Sequence, residues 1–390
     1  MKRTLILTCL LGLGFAAIAC RGGRNARAPE ITTPIAAPTV TAANAPAPVA
    51  GTAPAAVATK SAPATTNVRI TLLQEQGGRV SWSQAKNLVA FDVGGKEGKS
   101  AVYTARLDGS YKQCLTCGKK DVPQLHNGNP EWHPSGDWIV FQAQDPELKL
   151  PSGPAGNFMA SPGIGINNNI WVMNADGSKF WQMTHVQNRY GTLHPQFSPD
   201  GKKALWSEIV KPGGALGGQW AVKLGDFSIA NGEPRVTSIQ ALTPVNLELY
   251  ETHGFSPDNR RIIFSAVPPG KYYYDMEIYT YDLTTQQLAR LTDNSAWDEH
   301  AHFSPDGRWI AWISSTDIPQ IHTRTLEELT RNPPKTDAWI MSADGSNKRR
   351  LTRFNDPNAP EGQNASGRVI VGDISWGPGS QSFVAKIQHG

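Results

Sequence analysis

The chain has 390 residues, of which 18% are charged, and it carries a formal net charge of +4. Basic residues occur in short scattered runs, without a basic stripe or an aromatic ladder, so nucleic acid is not an expected partner. A phosphate loop and a dinucleotide fingerprint are both missing from the sequence, so no nucleotide is expected either. The 37 glycines and 29 prolines are typical of short strands joined by many turns.

The N-terminus has the pattern of an export signal. Positive charges at Met1 to Arg3 precede an apolar stretch, Leu5 to Ile18, that is too short to span a bilayer comfortably. The small residues before Cys20 resemble the lipobox of bacterial lipoproteins, although Ala17 stands where leucine is usual. The resemblance implies a lipoprotein signal peptide at residues 1–19 and lipidation of Cys20. An ordinary signal peptide, cleaved after Ala19, is the alternative.

The same resemblance implies a cellular location for the protein. Arg21, and not aspartate, comes directly after Cys20, which by the sorting rules of such lipoproteins implies the outer membrane, with the protein facing the periplasm or the cell surface. Residues 20–66 are mainly Ala, Pro, Thr and Val, a composition that predicts a disordered tether. In an extended form it would reach on the order of 100 Å. We therefore assign the folded domain to residues 67–390.

A repeated turn sequence organises that domain. An apolar strand ends in an aromatic residue, a turn related to Ser-Pro-Asp-Gly follows, and a second apolar strand begins. The aromatic residues that start the copies are Trp82, Trp132, Phe197, Phe255, Phe303 and Trp376. Six copies at this spacing predict an all-β fold, a six-bladed β-propeller with four-stranded antiparallel blades.

The fourth copy illustrates how the four strands of one blade are predicted. Its predicted strands a to d are Thr252 to Ser256, Arg261 to Val267, Glu277 to Leu283 and Gln287 to Thr292. Asp-Gly pairs mark the turn between strands c and d in other copies, for example at Asp176-Gly177, because glycine accepts positive φ without steric cost.

The repeats resemble those of the TolB-like six-bladed β-propellers, whose blades carry the same Ser-Pro-Asp-Gly and Asn-x-Asp-Gly-Ser elements. The resemblance covers about residues 68 to 390 and implies the fold. TolB also has a separate N-terminal α/β domain, where this chain has only the tether. The sixth copy is short, and we expect Val68 to Gln74 to pair with its strands, from Gly372 to Ile387, and so to close the ring.

All long insertions fall on one face of such a propeller, between strands b and c or between strand d and the next strand a. Function in scaffolds of this kind usually lies on the loop-rich face. Tyr272, Tyr273 and Tyr274, in the insertion of the fourth blade, are candidate contacts for a partner. Packing of these tyrosines against their own blade is the alternative.

Histidines and acids collect near the start of several a strands. Neutral imidazoles beside carboxylates suit a divalent transition metal, so the histidines are candidate metal ligands and the acids candidate ligand-binding residues. The arrangement resembles that of oligogalacturonate lyase, a propeller enzyme that holds manganese with histidines. Hydrogen bonding to neighbouring strands is the alternative role. The histidines are His194, His253, His300 and His302, and the acids are Glu251, Asp298, Glu299 and Asp373.

Two cysteines remain in the folded domain, Cys114 and Cys117. In an exported protein a disulfide between them is the expected state, provided that the strand turns near Gly118 and brings them together. A zinc half-site is the alternative, but no second cysteine pair exists to complete it.

These patterns lead to a binding function without assigned catalytic residues. The leading hypothesis is a lipid-anchored scaffold of the cell envelope that binds a protein, a cell-wall glycan or another polysaccharide through its loop-rich face. The alternative is a metal-dependent polysaccharide lyase or hydrolase that uses the histidines. A hydrolase elbow of the Gly-x-Ser-x-Gly type is missing from the sequence.

Overall fold

The computed structural model describes residues 4–11, 68–95, 97–213, 217–244, 247–319, 321–324, 328, 331–363 and 367–390. This part of the chain is predominantly β, and its named strands form four-stranded sheets in which every pairing is antiparallel. It also contains the short helices α1 (Pro154–Met159) and α2 (Pro360–Gln363) and a 3-10 turn (Tyr273–Asp275). Among these residues no helix has the length and apolar character that a membrane crossing requires.

Five blades are built from four consecutive strands each, as the repeat predicts. The first contains β3 (Val80–Trp82), β4 (Val89–Gly94), β5 (Ser100–Ala105) and β6 (Gln113–Cys114). The second contains β7 (Asn127–Trp132), β8 (Trp138–Gln144), β9 (Asn168–Asn174) and β10 (Phe180–Gln182). The third contains β11 (Thr192–Phe197), β12 (Lys203–Pro212), β13 (Gly218–Ala230) and β14 (Glu233–Leu242). The fourth contains β15 (Tyr250–Phe255), β16 (Arg261–Ala266), β17 (Glu277–Asp282) and β18 (Leu288–Arg290), and the fifth contains β19 (Asp298–Phe303), β20 (Trp309–Ser314), β21 (Asp337–Ser342) and β22 (Arg349–Arg350).

The sixth copy does not form a blade of this kind, so the structure has five such blades and not the predicted six. Its two strands, β23 (Val369–Trp376) and β24 (Ser382–His389), belong to a composite sheet completed from the N-terminal part of the chain. There, β1 (Thr4–Leu11) pairs with β24, and β2 (Val68–Gln74) pairs with β1. In the full chain Val68 to Gln74 therefore joins this sheet through β1 and not by the expected direct pairing with the C-terminal strands, because β1 occupies the open edge of β24.

The core lies between neighbouring sheets. Trp132 and Ile139 of the second blade pack with Ala90 of the first, and Phe264 of the fourth packs in one cluster with Leu205 of the third. A further cluster joins Val384 of the composite sheet to the first blade. The composite sheet thus occupies the place between the fifth and first blades.

The repeated turn has a defined hydrogen-bonding role. In the fifth blade the Ser304 hydroxyl donates to Asp306 Oδ1 at 2.6 Å and accepts the Trp309 backbone N–H at 3.0 Å. The Arg308 backbone N–H also donates to Asp306 Oδ1, at 3.1 Å. One serine and one aspartate thereby satisfy the backbone donors where the chain reverses between strands a and b.

Candidate functional site at the propeller axis

Five of the six a strands have an irregularity in their pairing with strand b. The register shifts within β7, β11, β15, β19 and β23, and a bulge of this kind re-aims a side chain. His194 and His300 have left-handed backbones, with φ of 50° and 51°, and Asp373 has φ of 47°. Residues without a glycine's freedom rarely adopt this conformation outside functional or tightly packed positions.

In these five strands the irregularity falls at, or directly beside, one equivalent position of the repeat. This position lies three residues before the aromatic residue that ends strand a, and we call its occupants the axial ring: Arg79, Asn129, His194, Thr252, His300 and Asp373. In the fourth blade the ring position holds threonine, and the next residue, His253, supplies an imidazole instead.

Three histidines converge at the axis. The ring centroids of His194 and His300 lie 5.3 Å apart, and that of His253 lies 5.7 Å and 5.2 Å from them. His194 belongs to the third blade and His300 to the fifth, so side chains of blades that are not neighbours meet here. One ligand atom from each of the three lies within 4.8 Å of the others, and we call this group the axial histidines.

The axial histidines are buried, and the propeller keeps two of them neutral. Their exposed fractions are 5% for His194, 2% for His253 and 7% for His300. Burial, followed by the positive charges of Arg79 and the neighbouring histidines, lowers the pKa of His194 well below its usual value. Burial and the charges of His300, His302 and Arg79 do the same to the pKa of His253. Neutral imidazole is the form that binds metals.

Two carboxyl groups accompany the histidines from the side of the loop-rich face. Glu251 Oε2 lies 3.6 Å from His194 Nδ1, and Glu251 Oε1 accepts a hydrogen bond of 3.1 Å from the Tyr273 hydroxyl. Glu299 Oε2 lies 3.5 Å from His300 Nε2 and accepts the Trp297 indole N–H at 2.8 Å. Burial, outweighing the charge of His300, raises the pKa of Glu299 well above its usual value, with the neighbouring Glu251 adding to the rise.

The buried side chain of Arg79 links the first blade to the composite sheet. Arg79 Nε lies 3.5 Å from Asp373 Oδ1, and the Arg79 backbone N–H donates to Asp92 Oδ1 at 3.1 Å. Asp373 Oδ1 also lies 3.5 Å from His300 Nδ1, and Lys386 Nζ lies 4.0 Å from Asp373 Oδ2. Burial alone would raise the pKa of Asp373, but these positive charges together lower it.

Some candidates from the sequence lie apart from this group. His302 has its ring 5.9 Å from that of His253, and burial with the charge of His300 lowers the pKa of His302 to about 3. Its ligand atoms do not belong to the close set. Asp298 accepts hydrogen bonds from the Trp312 indole at 3.0 Å and the Asn294 amide at 2.9 Å, so it holds strands together.

The three tyrosines do not form one exposed patch. Tyr273 is buried over Glu251, and the buried Tyr274 hydroxyl hydrogen-bonds Ser315 Oγ at 2.7 Å. Both rings pack within 6.3 Å of Trp297. Only Tyr272 is exposed, at 48%.

The cysteines of the folded domain are paired. Cys114, at the end of β6, forms a disulfide with Cys117, and their Cα atoms are 5.7 Å apart. The turn after β6 thus brings the two residues within bonding distance. Cys20 and most of the proposed signal peptide and tether lie outside the described residues.

Sequence reasoning missed Arg79 and Asp92. A signal for Arg79 was present, because alignment of the copies on their aromatic residues places it in the same ring as His194 and His300. Asp92 lies on strand b and reaches the axis only through tertiary packing, where it accepts the Asn129 backbone N–H at 3.0 Å. No local pattern distinguishes it from an ordinary strand residue.

Comparison with known proteins places the fold. No family model matches the chain. The structure is similar to TolB from Agrobacterium tumefaciens, with a TM-score of 0.53 and 16% identity over 83% of this chain and 94% of that chain. TolB from Acinetobacter baumannii matches with a TM-score of 0.49 and 18% identity, over 73% of this chain and 56% of that chain. At such low identity the likeness concerns the fold alone, and the chain has a TolB-like β-propeller fold.

Proposed function

We propose that the chain is an exported, lipid-anchored β-propeller that binds another protein of the cell envelope through its loop-rich face. The TolB-like fold supports this proposal coarsely, because the repeated motif residues build turns and core and leave recognition to the loops. The observation that carries it is a cleft between the loops of the fourth and fifth blades.

The cleft has a volume of about 430 Å³, and polar groups and aromatic rings line it. Tyr274 and His322 both line the cleft, with their ring centroids 4.3 Å apart and the rings tilted by 41°. Ile321, beside the cleft, is 66% exposed, and the exposed ring of Tyr272 lies under the Arg324 guanidinium at 5.0 Å. Exposed aromatic, arginine and large apolar side chains around a preformed cleft suit a protein partner.

A catalytic function has less support. The axial histidines are almost completely buried, which leaves a polymeric substrate no access to them. The solved structures that resemble the chain do not favour the metal-dependent lyase or hydrolase over a binding scaffold. A partner that binds only the loops does not need to reach these histidines.

The proposed anchor is the lipid on Cys20, after removal of residues 1–19, with residues 20–66 as the tether. The composition of this segment and the small residues before Cys20 support the assignment. Changing Cys20→Ser should abolish incorporation of a clickable fatty acid and release the protein from the membrane fraction without changing its melting temperature. Unchanged labelling in that variant contradicts the anchor.

Site-specific photo-crosslinking in intact cells tests the binding face. A photoreactive phenylalanine at Tyr272 should give a discrete adduct, and the same residue at Asn347, an exposed position in the turn between β21 and β22, should give none. The change Ile321→Ala should weaken the adduct. An adduct whose added mass is removed by a glycan hydrolase would replace the protein partner with an envelope glycan. The proposal fails if position 272 gives no adduct or both positions give the same one.

A further inference from the structure

We propose that His194, His253 and His300 together bind one divalent transition-metal ion, zinc by the chemistry of the donors, at the point where the third, fourth and fifth blades meet. This site does not depend on the partner proposed above. Three histidine side chains form a common ligand set for zinc, and each comes here from a different blade.

The donor atoms stand close enough for a shared ion. The ligand atoms of the three residues all lie within 4.8 Å of one another. Nitrogen ligands of one tetrahedral zinc stand roughly 3.3 Å apart, since each Zn–N bond is about 2.0 Å long. The rings therefore need to close by no more than ~1.5 Å, a shift that small side-chain rotations supply.

An unpartnered side chain points to a missing ligand. Neither ring nitrogen of His194 has a hydrogen-bond partner among the described residues, although both are buried. A buried polar atom left without a partner costs about 1–3 kcal/mol, so native structures rarely retain one without a reason. A metal ion bound to one of these nitrogens would remove that cost.

Each axial histidine has a side-chain oxygen within 3.6 Å of a ring nitrogen, and in His300 both ring nitrogens face a carboxyl group. Glu251 Oε2 lies 3.6 Å from His194 Nδ1, and Asp373 Oδ1 lies 3.5 Å from His300 Nδ1. The Ser265 hydroxyl is 2.8 Å from His253 Nε2. Metal-bound histidines almost always use their second nitrogen in this way, because the partner fixes the tautomer and the orientation of the ring.

The surrounding charge suits a dication. Carboxyl groups outnumber cationic side chains by four to two around the axis, and a bound dication would favour the ionised form of each of these acids. They are Asp92, Glu251, Glu299 and Asp373 against Arg79 and Lys386. Burying a metal ion requires compensation of this kind, since an isolated charge in a low-dielectric interior is strongly disfavoured.

The position of the site assigns the ion a structural role. Because the three ligands are buried and belong to three blades, a bound ion adds a direct link among the third, fourth and fifth blades at the axis. Binding free energy that is available only to the folded propeller adds to its stability.

Elemental analysis of the full chain, purified without metal-affinity resin or chelator, tests the site. We expect about one zinc per chain, a lower melting temperature after dialysis against a chelator, and recovery with Zn²⁺ but not with Mg²⁺. The changes His194→Gln and His253→Gln should each reduce zinc affinity about 100-fold or more, and Ser265→Ala about 10-fold through the orientation of His253.

The matched control is His302→Gln, on the same strand as His300 but outside the close set, and it should retain the metal. A loss of zinc in this control equal to that in His253→Gln would overturn the three-histidine assignment. If the ligand variants do not fold, titration of the chelator-treated wild-type protein with Zn²⁺ against a competing indicator decides. The absence of stoichiometric binding in that titration overturns the proposal.

Discussion

Glu131 is the clearest titratable side chain outside the axial histidines. It lies on β7 one residue before Trp132, and burial raises its pKa to about 8, although a hydrogen bond with Ser81 works in the opposite direction. The folded protein therefore holds a proton on Glu131 at pH values where the unfolded chain has lost it. Stability from this group is complete below pH ~4.5 and is lost as the pH rises towards 8.

We expect the change Glu131→Gln to remove this pH dependence. Glutamine is a neutral isostere of the protonated acid, so the variant should gain on the order of 2 kcal/mol relative to the wild type between pH 5 and pH 8, after allowance for the partial exposure of the side chain. Urea unfolding at both pH values measures the difference. The control Glu233→Gln, at an exposed position, should leave the pH dependence unchanged. A wild-type stability that does not fall over this interval contradicts the raised pKa.

At the scale of elements, the hydrogen bonds of the Ser-Pro-Asp-Gly turns predict a loss of stability when the serine is replaced. Replacing Ser304 with alanine removes both its bond to Asp306 and the acceptor for the Trp309 N–H, in a turn where the serine is fully buried. We expect a loss of about 1–3 kcal/mol in the free energy of unfolding, because a buried backbone donor stays unpaired. Denaturant titration measures it.

The control for this change is Ser110→Ala. Ser110 makes the similar 2.6 Å bond to Asp108, but in an exposed hairpin turn where water replaces the lost partner. Its effect should stay below about 0.5 kcal/mol. Equal losses of unfolding free energy in the two variants would mean that burial of the serine does not determine how much its replacement destabilises the protein.

Local sequence patterns predicted the strands of the blades well, but they predicted the arrangement of side chains at the propeller axis only in part. In the fourth blade the predicted strand Glu277 to Leu283 corresponds to Glu277–Asp282, because turn residues and alternation act over a few neighbours. Strict alternation alone would place the rings of His300 and His302 on one face of the strand. The register shift between Glu299 and His302 breaks that alternation, and a bulge of this kind depends on the neighbouring strand. The convergence of His194 with His300 across non-neighbouring blades belongs to tertiary structure alone.

At the scale of the whole molecule, the composite sheet and the proposed export signal compete for the same residues. β1 lies between β24 and β2, yet its residues belong to the segment that we expect signal peptidase to remove. Cleavage would expose the edges of both neighbours, and unpaired edges are costly and prone to aggregation. Both edges paired with β1 in antiparallel fashion, so they run parallel to one another. Direct pairing in the mature protein thus requires either a parallel ladder or a reversal of Val68 to Gln74.

We expect the reversal, because an antiparallel partner continues the pattern of every other blade. The mature protein should then melt as cooperatively as the full chain, and deletion of residues 68–74 should lower its melting temperature by several degrees. Deletion of residues 40–46, equal in length and within the proposed tether, is the control and should have no effect. Hydrogen exchange on the mature protein shows directly whether this strand is paired, because the backbone amides of residues 68–74 are protected only when a partner strand is present. Unprotected amides there, with an unchanged melting temperature in the 68–74 deletion, would show that β23 and β24 complete the ring without them.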